Sequence, residues 1–187
     1  VNNQQNAFLV KIVPDAQNSQ NHWGVPASVT IAQAIEESSD QKGWGQSSLA
    51  LLANNYFGIK GTHLLEPDTY IKEPTHEYIA GKLQEVDADF ERYPSVGASF
   101  DAHAQLLATA LRYKPAMAAR SDPESFCIQL QKCGYSTNPN YAVDLWRCIQ
   151  DYDLTQYDLP PAPAAAGSTP TSTAPALPAE GSTNEKP

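Results

Sequence analysis

Two adjacent carboxylates, Glu36 and Glu37, close the helical stretch IAQAIEES before the pattern breaks into SSDQKGWGQ. A carboxyl group at a helix C-terminus meets the negative end of the macrodipole. Partly desolvated there, it holds its proton to higher pH, as a general acid working near neutrality requires. The two side chains stand about 100° apart around the helix, so only one of them can face a given cleft. Glu37 continues a polar stripe through Thr30 and Gln33, whereas Glu36 aligns with Val29 and Ala32. Periodicity leaves open whether one is an acid or both are a solvated helix end. Glu77, Asp87 and Asp89 supply further carboxylates later in the chain. His103 lies on an apolar stripe and reads as a hydrogen-bonded core residue. The four histidines are scattered, and Cys127, Cys133 and Cys148 lack metal-ligand spacing, so no metal site is expected. The odd cysteine count leaves at least one thiol without a partner inside the chain, with a Cys127–Cys148 bridge conceivable.

The elements that must position these groups are mostly helical. Residues 6–20 form a first helix, interrupted or bent at Pro14. A second begins at GVPAS, with Pro26 in its first turn, and runs to about Ser38. Phe100, His103, Ala104, Leu107 and Leu111 share one helical stripe. In SDPESFCIQLQKCGY, Ser121 or Asp122 caps a helix that ends before Gly134. In NPNYAVDLWRCIQDY, Asn138 is the cap and Ala142, Leu145, Ile149 and Tyr152 form the buried stripe. THEYIAGKLQEVDADFERY alternates instead: Val86, Ala88 and Phe90 point one way, Glu85, Asp87, Asp89 and Glu91 the other. Ala80-Gly81 makes it a hairpin.

At 187 residues the chain holds one domain and a tail. Composition shifts at Leu159, so residues 1–158 read as the domain. The Pro/Ala/Ser/Thr-rich residues 159–187 read as a disordered tail or linker. A net charge of −9 argues against nucleic-acid binding. No apolar run approaches the roughly 20 residues of a membrane span. No basic, apolar leader opens the chain, so for an exported protein this sequence would be the mature form, or the signal would lie outside it.

The blocks LVKIVPDAQ, GVPASVTIAQAIEES, GWGQSSLA, NNYFGIKG, THEY, FERYPS, LRY and GYSTNPNYA occur in an order that resembles the bacterial glucosaminidase domains of glycoside hydrolase family 73. The resemblance covers roughly residues 6–154. It implies a mainly α, lysozyme-like α+β fold, with a helical body, a substrate cleft and a small β-hairpin lobe. It also implies hydrolysis of the β-1,4 bond after N-acetylglucosamine in peptidoglycan glycan strands, without metal or organic cofactor. An exported protein, secreted or periplasmic at the cell envelope, would then meet its substrate without membrane insertion.

Residue by residue, the motif AQA-x-x-ES selects Glu37, not Glu36, as the catalytic acid. T-x-E-Y, matched by Thr75, Glu77 and Tyr78, makes Glu77 the base or water-positioner, with Tyr78 beside it at the substrate. GYSTNP, similar to the family's GYATDP, makes Tyr135 a stabiliser of the transition state. Gln33, Asn55 and Phe57 are implied as cleft residues that bind substrate, although Phe57 reads equally as core. Trp23, Trp44 and Trp146 could stack on sugars. Family members usually run from ES directly into GWG, so residues 39–42 are an insertion that lengthens the helix end or loops over the cleft. A muramidase or lytic transglycosylase on the same fold, or a non-catalytic glycan-binding module, are the competing expectations.

Overall fold

The chain enters its first helix through a capping box. Asn2 Oδ1 accepts from the Gln5 N–H at 2.9 Å, and Gln5 Oε1 accepts from the Asn2 N–H at 2.8 Å. The computed structural model describes residues 1–61, 68–79 and 82–160, and the side chains of these apart from 76–79 and 83. The expected tail from 161 onward and the Ala80-Gly81 turn lie outside the described residues. Helix α1 (Asn3–Trp23) runs through Pro14 without the expected interruption. Pro14 sits on the exposed side of α1, where water can satisfy the carbonyl that its missing N–H leaves over.

Helix α2 (Ala27–Ser38) starts after Pro26, which stands at the N-cap rather than in the first turn and supplies no side-chain cap. The cap comes from far along the chain. Asp158 accepts from the Ser28 N–H and the Ser28 hydroxyl, both at 2.7 Å. Gln20 Oε1 accepts from the N–H groups of Ala27 at 3.1 Å and Leu159 at 3.0 Å, and its Nε2 donates to the Leu159 carbonyl at 3.0 Å. Burial lifts the Asp158 carboxyl above its ordinary range, and the hydrogen bonds from Ser28 oppose that rise. The ordered body is thus clasped through Leu159.

The sequence reads α2 as amphipathic, yet every residue from Ala27 to Ile35 is buried. Five of these nine positions carry Ala, Ser or Thr side chains, small enough for α1, α6, α7 and the C-terminal turn to surround the helix. The polar stripe is therefore internal: Thr30 bonds back to the Pro26 carbonyl at 3.2 Å, and Gln33 is 0% exposed.

The rest of the body follows the punctuation of the sequence, with three corrections. After α3 (Ser48–Ala53), helix α4 (Val96–Thr109) is capped by Ser95 and buries Phe100, His103, Ala104 and Leu107. Leu111 leaves that stripe: Ala110 turns extended, and Leu111 sits 74% exposed in a 3₁₀ turn, Leu111–Tyr113. α5 (Lys114–Ala118) leads to α6 (Pro123–Lys132), whose cap is Asp122 and which is followed by Gly134 at φ +73°. α7 (Tyr141–Asp151) begins later than expected, with Asn140 at its cap position. Asn138 instead staples the turn: its Oδ1 accepts from the Asn140 N–H at 2.9 Å, and its Nδ2 donates to Asp144 at 3.1 Å. Tyr152 falls just past the end of α7 and is only half-buried. All three cysteines are free thiols, and burial pushes Cys127 and Cys148 up to about 12.

Beside the helical body, β1 (Tyr70–Ile79) and β2 (Lys82–Glu91) pair antiparallel, from Tyr70 opposite Glu91 to Ile79 opposite Lys82. Phe90 is buried at the inner end, as the alternation predicts. The sheet is bolted to the body by two consecutive asparagines. Asn55 Nδ2 donates to the carbonyls of Ile59 and Glu91, both at 2.9 Å, and its Oδ1 accepts from the Ile59 N–H at 3.0 Å. Asn54, at φ +51°, donates to the Tyr93 carbonyl at 3.0 Å. The result is the expected mainly α, lysozyme-like α+β arrangement with a small hairpin lobe. Among the described residues no helix is long and apolar enough to cross a membrane.

Candidate active site

Glu37 occupies the last turn of α2, and the structure explains why the helix stops there. The hydroxyls of Ser38 and Ser39 bond back to the carbonyls of Ala34 and Ile35, and the Ser47 N–H bonds the Ser38 carbonyl at 2.9 Å. Carbonyls that a helix end leaves open are thereby satisfied by side chains and loop. The inserted residues 39–42 do not lengthen α2, which ends at Ser38. They form a tight turn in which Asp40 and Gly43 exchange backbone hydrogen bonds at 3.1 Å, and Gln4 of α1 holds the Lys42 carbonyl at 2.8 Å. Gly45 continues the loop at φ +69°, where a Cβ would lie 2.4 Å from the Phe8 ring, so only glycine fits.

The two carboxylates part company as their angular separation predicts. Glu36 is exposed, and two cavities of about 350 and 260 Å³ share Ile35, Glu36 and Trp44 as a common wall. Glu37 lines neither. Partial burial, and then the charges of Asp144 and Glu37, raise the Glu36 carboxyl above its ordinary range.

Glu37 is half-buried and faces Tyr141, the first residue of α7. The phenol donates to Glu37 Oε1 at 3.4 Å and accepts from Gln33 Nε2 at 3.0 Å. Gln33 and Glu37 are four residues apart on α2 and share one face. The Tyr141 ring stacks on Tyr135, with centroids 5.3 Å apart and planes 19° from parallel. Tyr135 in turn meets His103 Nε2 at 3.1 Å through its hydroxyl, and His103 stacks on Phe57 at 3.9 Å. Desolvation, and then the charge of Glu37, push Tyr135 well above the usual phenol range. Desolvation, followed by Tyr135 and Glu37, does the same to Tyr141. Both phenols stay protonated, which keeps Tyr141 a hydrogen-bond donor.

Of the residues singled out in the sequence, Glu37 and Tyr135 come together, with Tyr141 between them. Gln33, Asn55 and Phe57 are 0%, 1% and 0% exposed, and the contacts described for them are internal. Gln33 serves Tyr141, Asn55 bolts the hairpin, and Phe57 packs on His103 and Phe100. Glu77 and Tyr78 lie in β1, opposite Gln84 and Leu83, and their side chains fall outside the described residues. Trp23 donates to Asp101 at 2.9 Å, Trp44 packs edge-on to Phe8 and Tyr152, and Trp146 packs against the core. His103 is the hydrogen-bonded core residue expected. Tyr141 was the omission. It belongs to the same GYSTNPNYA block and opens the i, i+4, i+8 stripe continued by Leu145 and Ile149, a signal visible in the sequence. Among the described residues, no three His, Cys, Asp or Glu side chains stand together as metal ligands.

A buried glutamine, a phenol and a carboxylate at a helix end can hold and deliver a proton. Comparison with known proteins identifies the family. Residues 13–154 match the family model of glucosaminidase, described as mannosyl-glycoprotein endo-beta-N-acetylglucosaminidase. The chain is 36% identical over 160 residues to the exo-glucosaminidase LytG of Bacillus subtilis, a match spanning 83% of this chain and 54% of that one. It is 33% identical over 170 residues to the peptidoglycan hydrolase FlgJ of Pseudomonas aeruginosa, spanning 87% and 39%. The crystal structure of the catalytic domain of the autolysin Auto from Listeria monocytogenes superposes with a TM-score of 0.74 at 31% identity, covering 84% of this chain and 89% of that one. The chain thus spans about half, or less, of the length of these two relatives but nearly all of the solved catalytic domain.

Proposed function

The chain belongs to the glucosaminidase family of glycoside hydrolases, and on that premise we propose that it is a peptidoglycan hydrolase. In this reading it is an endo-β-N-acetylglucosaminidase, cutting the β-1,4 bond after N-acetylglucosamine in glycan strands, and it acts outside the cytoplasm at the cell envelope. The observation that carries the reading is the contact between Tyr141 and Glu37 at the end of the buried helix.

Tyr141 occupies Glu37 Oε1 as a donor, so the transferable proton resides on Oε2. From there it passes to the glycosidic oxygen as the C1–O bond breaks, and the leaving sugar departs as an alcohol. The carboxylate left behind keeps its hydrogen bond from Tyr141, a charge-assisted contact that is stronger than the one to the neutral acid. Glu77, by its place in the T-x-E-Y motif of the hairpin, takes a proton from the water that attacks C1. Tyr141 hydrogen-bonds the acid directly, and Tyr135 feels its charge. Tyr135 backs it from a buried position.

Digestion of purified cell wall tests the proposal. New reducing N-acetylglucosamine ends on released oligosaccharides are expected. Release of terminal N-acetylglucosamine alone would make the enzyme exo-acting, and reducing or anhydro muramic ends would replace it with a muramidase or transglycosylase. Glu37→Gln should lower the rate by about 100-fold or more, whereas Glu36→Gln should leave it close to wild type.

A further inference from the structure

Gln33 is out of place for stability. It is 0% exposed on α2, and its Oε1 has no hydrogen-bond partner among the described residues. A buried acceptor left unsatisfied is destabilising, and a methionine, similar in length, would carry no such cost. The one polar contact described for the side chain runs from Nε2 to the Tyr141 hydroxyl, 3.0 Å away, one helical turn below Glu37.

We propose that Gln33 is a positioning residue for the hydrolytic reaction, acting through Tyr141 to commit the phenol proton to Glu37. The phenol has one proton to give. An amide N–H pointed at its oxygen can only donate, so it does not compete for that proton, which is left for Glu37 Oε1 at 3.4 Å and the neighbouring Tyr135 hydroxyl. With the amide reversed, Gln33 Oε1 would be a further acceptor drawing the proton away from Glu37. Accepting the Gln33 hydrogen bond also polarises the O–H and makes Tyr141 a better donor. The gain appears as negative charge develops on Glu37, after substrate is bound, so it belongs to kcat and not to KM.

The inference rests on Glu37 being the acid, and the experiment separates the two. Gln33→Met, Tyr141→Phe, the double variant and Glu37→Gln are compared on cell-wall substrate, with kcat, KM and Tm measured for each. Gln33→Met should lower kcat about three- to tenfold, the worth of one neutral hydrogen bond, with KM unchanged and Tm equal or higher. Added to Tyr141→Phe, it should lower kcat no further. An equal loss in both backgrounds, or a Tm that falls with kcat, would make Gln33 a packing residue and overturn the proposal. Full kcat in Gln33→Met with Glu37→Gln inactive would overturn it while leaving the acid in place. Full activity in Glu37→Gln would remove the acid reading and this one together.

Discussion

Glu37 and Tyr141 meet across 104 positions of sequence, each from the end of a helix, and their contact is the smallest unit of the proposed chemistry. Tyr141→Phe keeps the ring stacked on Tyr135, removes the donor to Glu37 and takes away the acceptor of the buried Gln33 amide. Hydrogen bonds to charged groups contribute about 1.5–3 kcal/mol, so kcat should fall roughly 10- to 100-fold, with a lower Tm from the stranded Gln33 amide, measured by wall digestion and thermal melts. The choice between Glu36 and Glu37 illustrates what a sequence can say at this scale. The spacing of a helix fixes that they face different ways, and the family motif picks Glu37. The approach of Tyr141 to Glu37 lies beyond spacing, because it depends on how α7 crosses α2.

At the scale of the element, α2 depends on a residue outside itself. Pro26 offers no side-chain cap, and Asp158 takes that place with two hydrogen bonds at 2.7 Å. Asp158→Ala should cost about 1 kcal/mol, which lowers Tm by about 2–4 °C in a domain of this size. The pH dependence has a definite sign. Since burial raises the folded carboxyl above 3.8, the fold binds its proton more tightly than the unfolded chain does. That contribution is full below 3.8 and is lost as pH rises through the folded value. A neutral Asp158→Asn lacks the slope, so the difference in Tm between it and wild type should change across this window in buffered melts. Helix starts and stops were legible from Pro, Gly and Asx residues, as at Asp122-Pro123 and Gly134. The burial of Thr30 and Gln33 was not, because an internal polar stripe and a solvated one share the same period.

The whole molecule is a helical body with a hairpin fixed to it through Asn54 and Asn55. Asn55→Ala would strand the Ile59 N–H and the carbonyls of Ile59 and Glu91 together. We expect a loss of about 2–4 kcal/mol, with hydrogen exchange in β1 and β2 accelerating more than in α2. The three thiols are free, and the two buried ones are held protonated. A thiol reagent should therefore modify Cys133 first in the folded protein and all three after unfolding, while a reductant leaves Tm unchanged. The one-body plan with its hairpin was readable from the alternation around Val86, Ala88 and Phe90. The clasp between Gln20, Ser28 and residues 158–159 was not, since nothing local in either segment refers to the other. That clasp gives the chain an order of events during its own synthesis. The ribosome makes the acid-bearing helix early and its cap some 130 residues later, so α2 cannot reach its final state until the last turn of the body has emerged. A nascent chain carries Glu37 long before the helix beneath it is complete, and the contact between Glu37 and Tyr141 settles only as the end of the domain is translated.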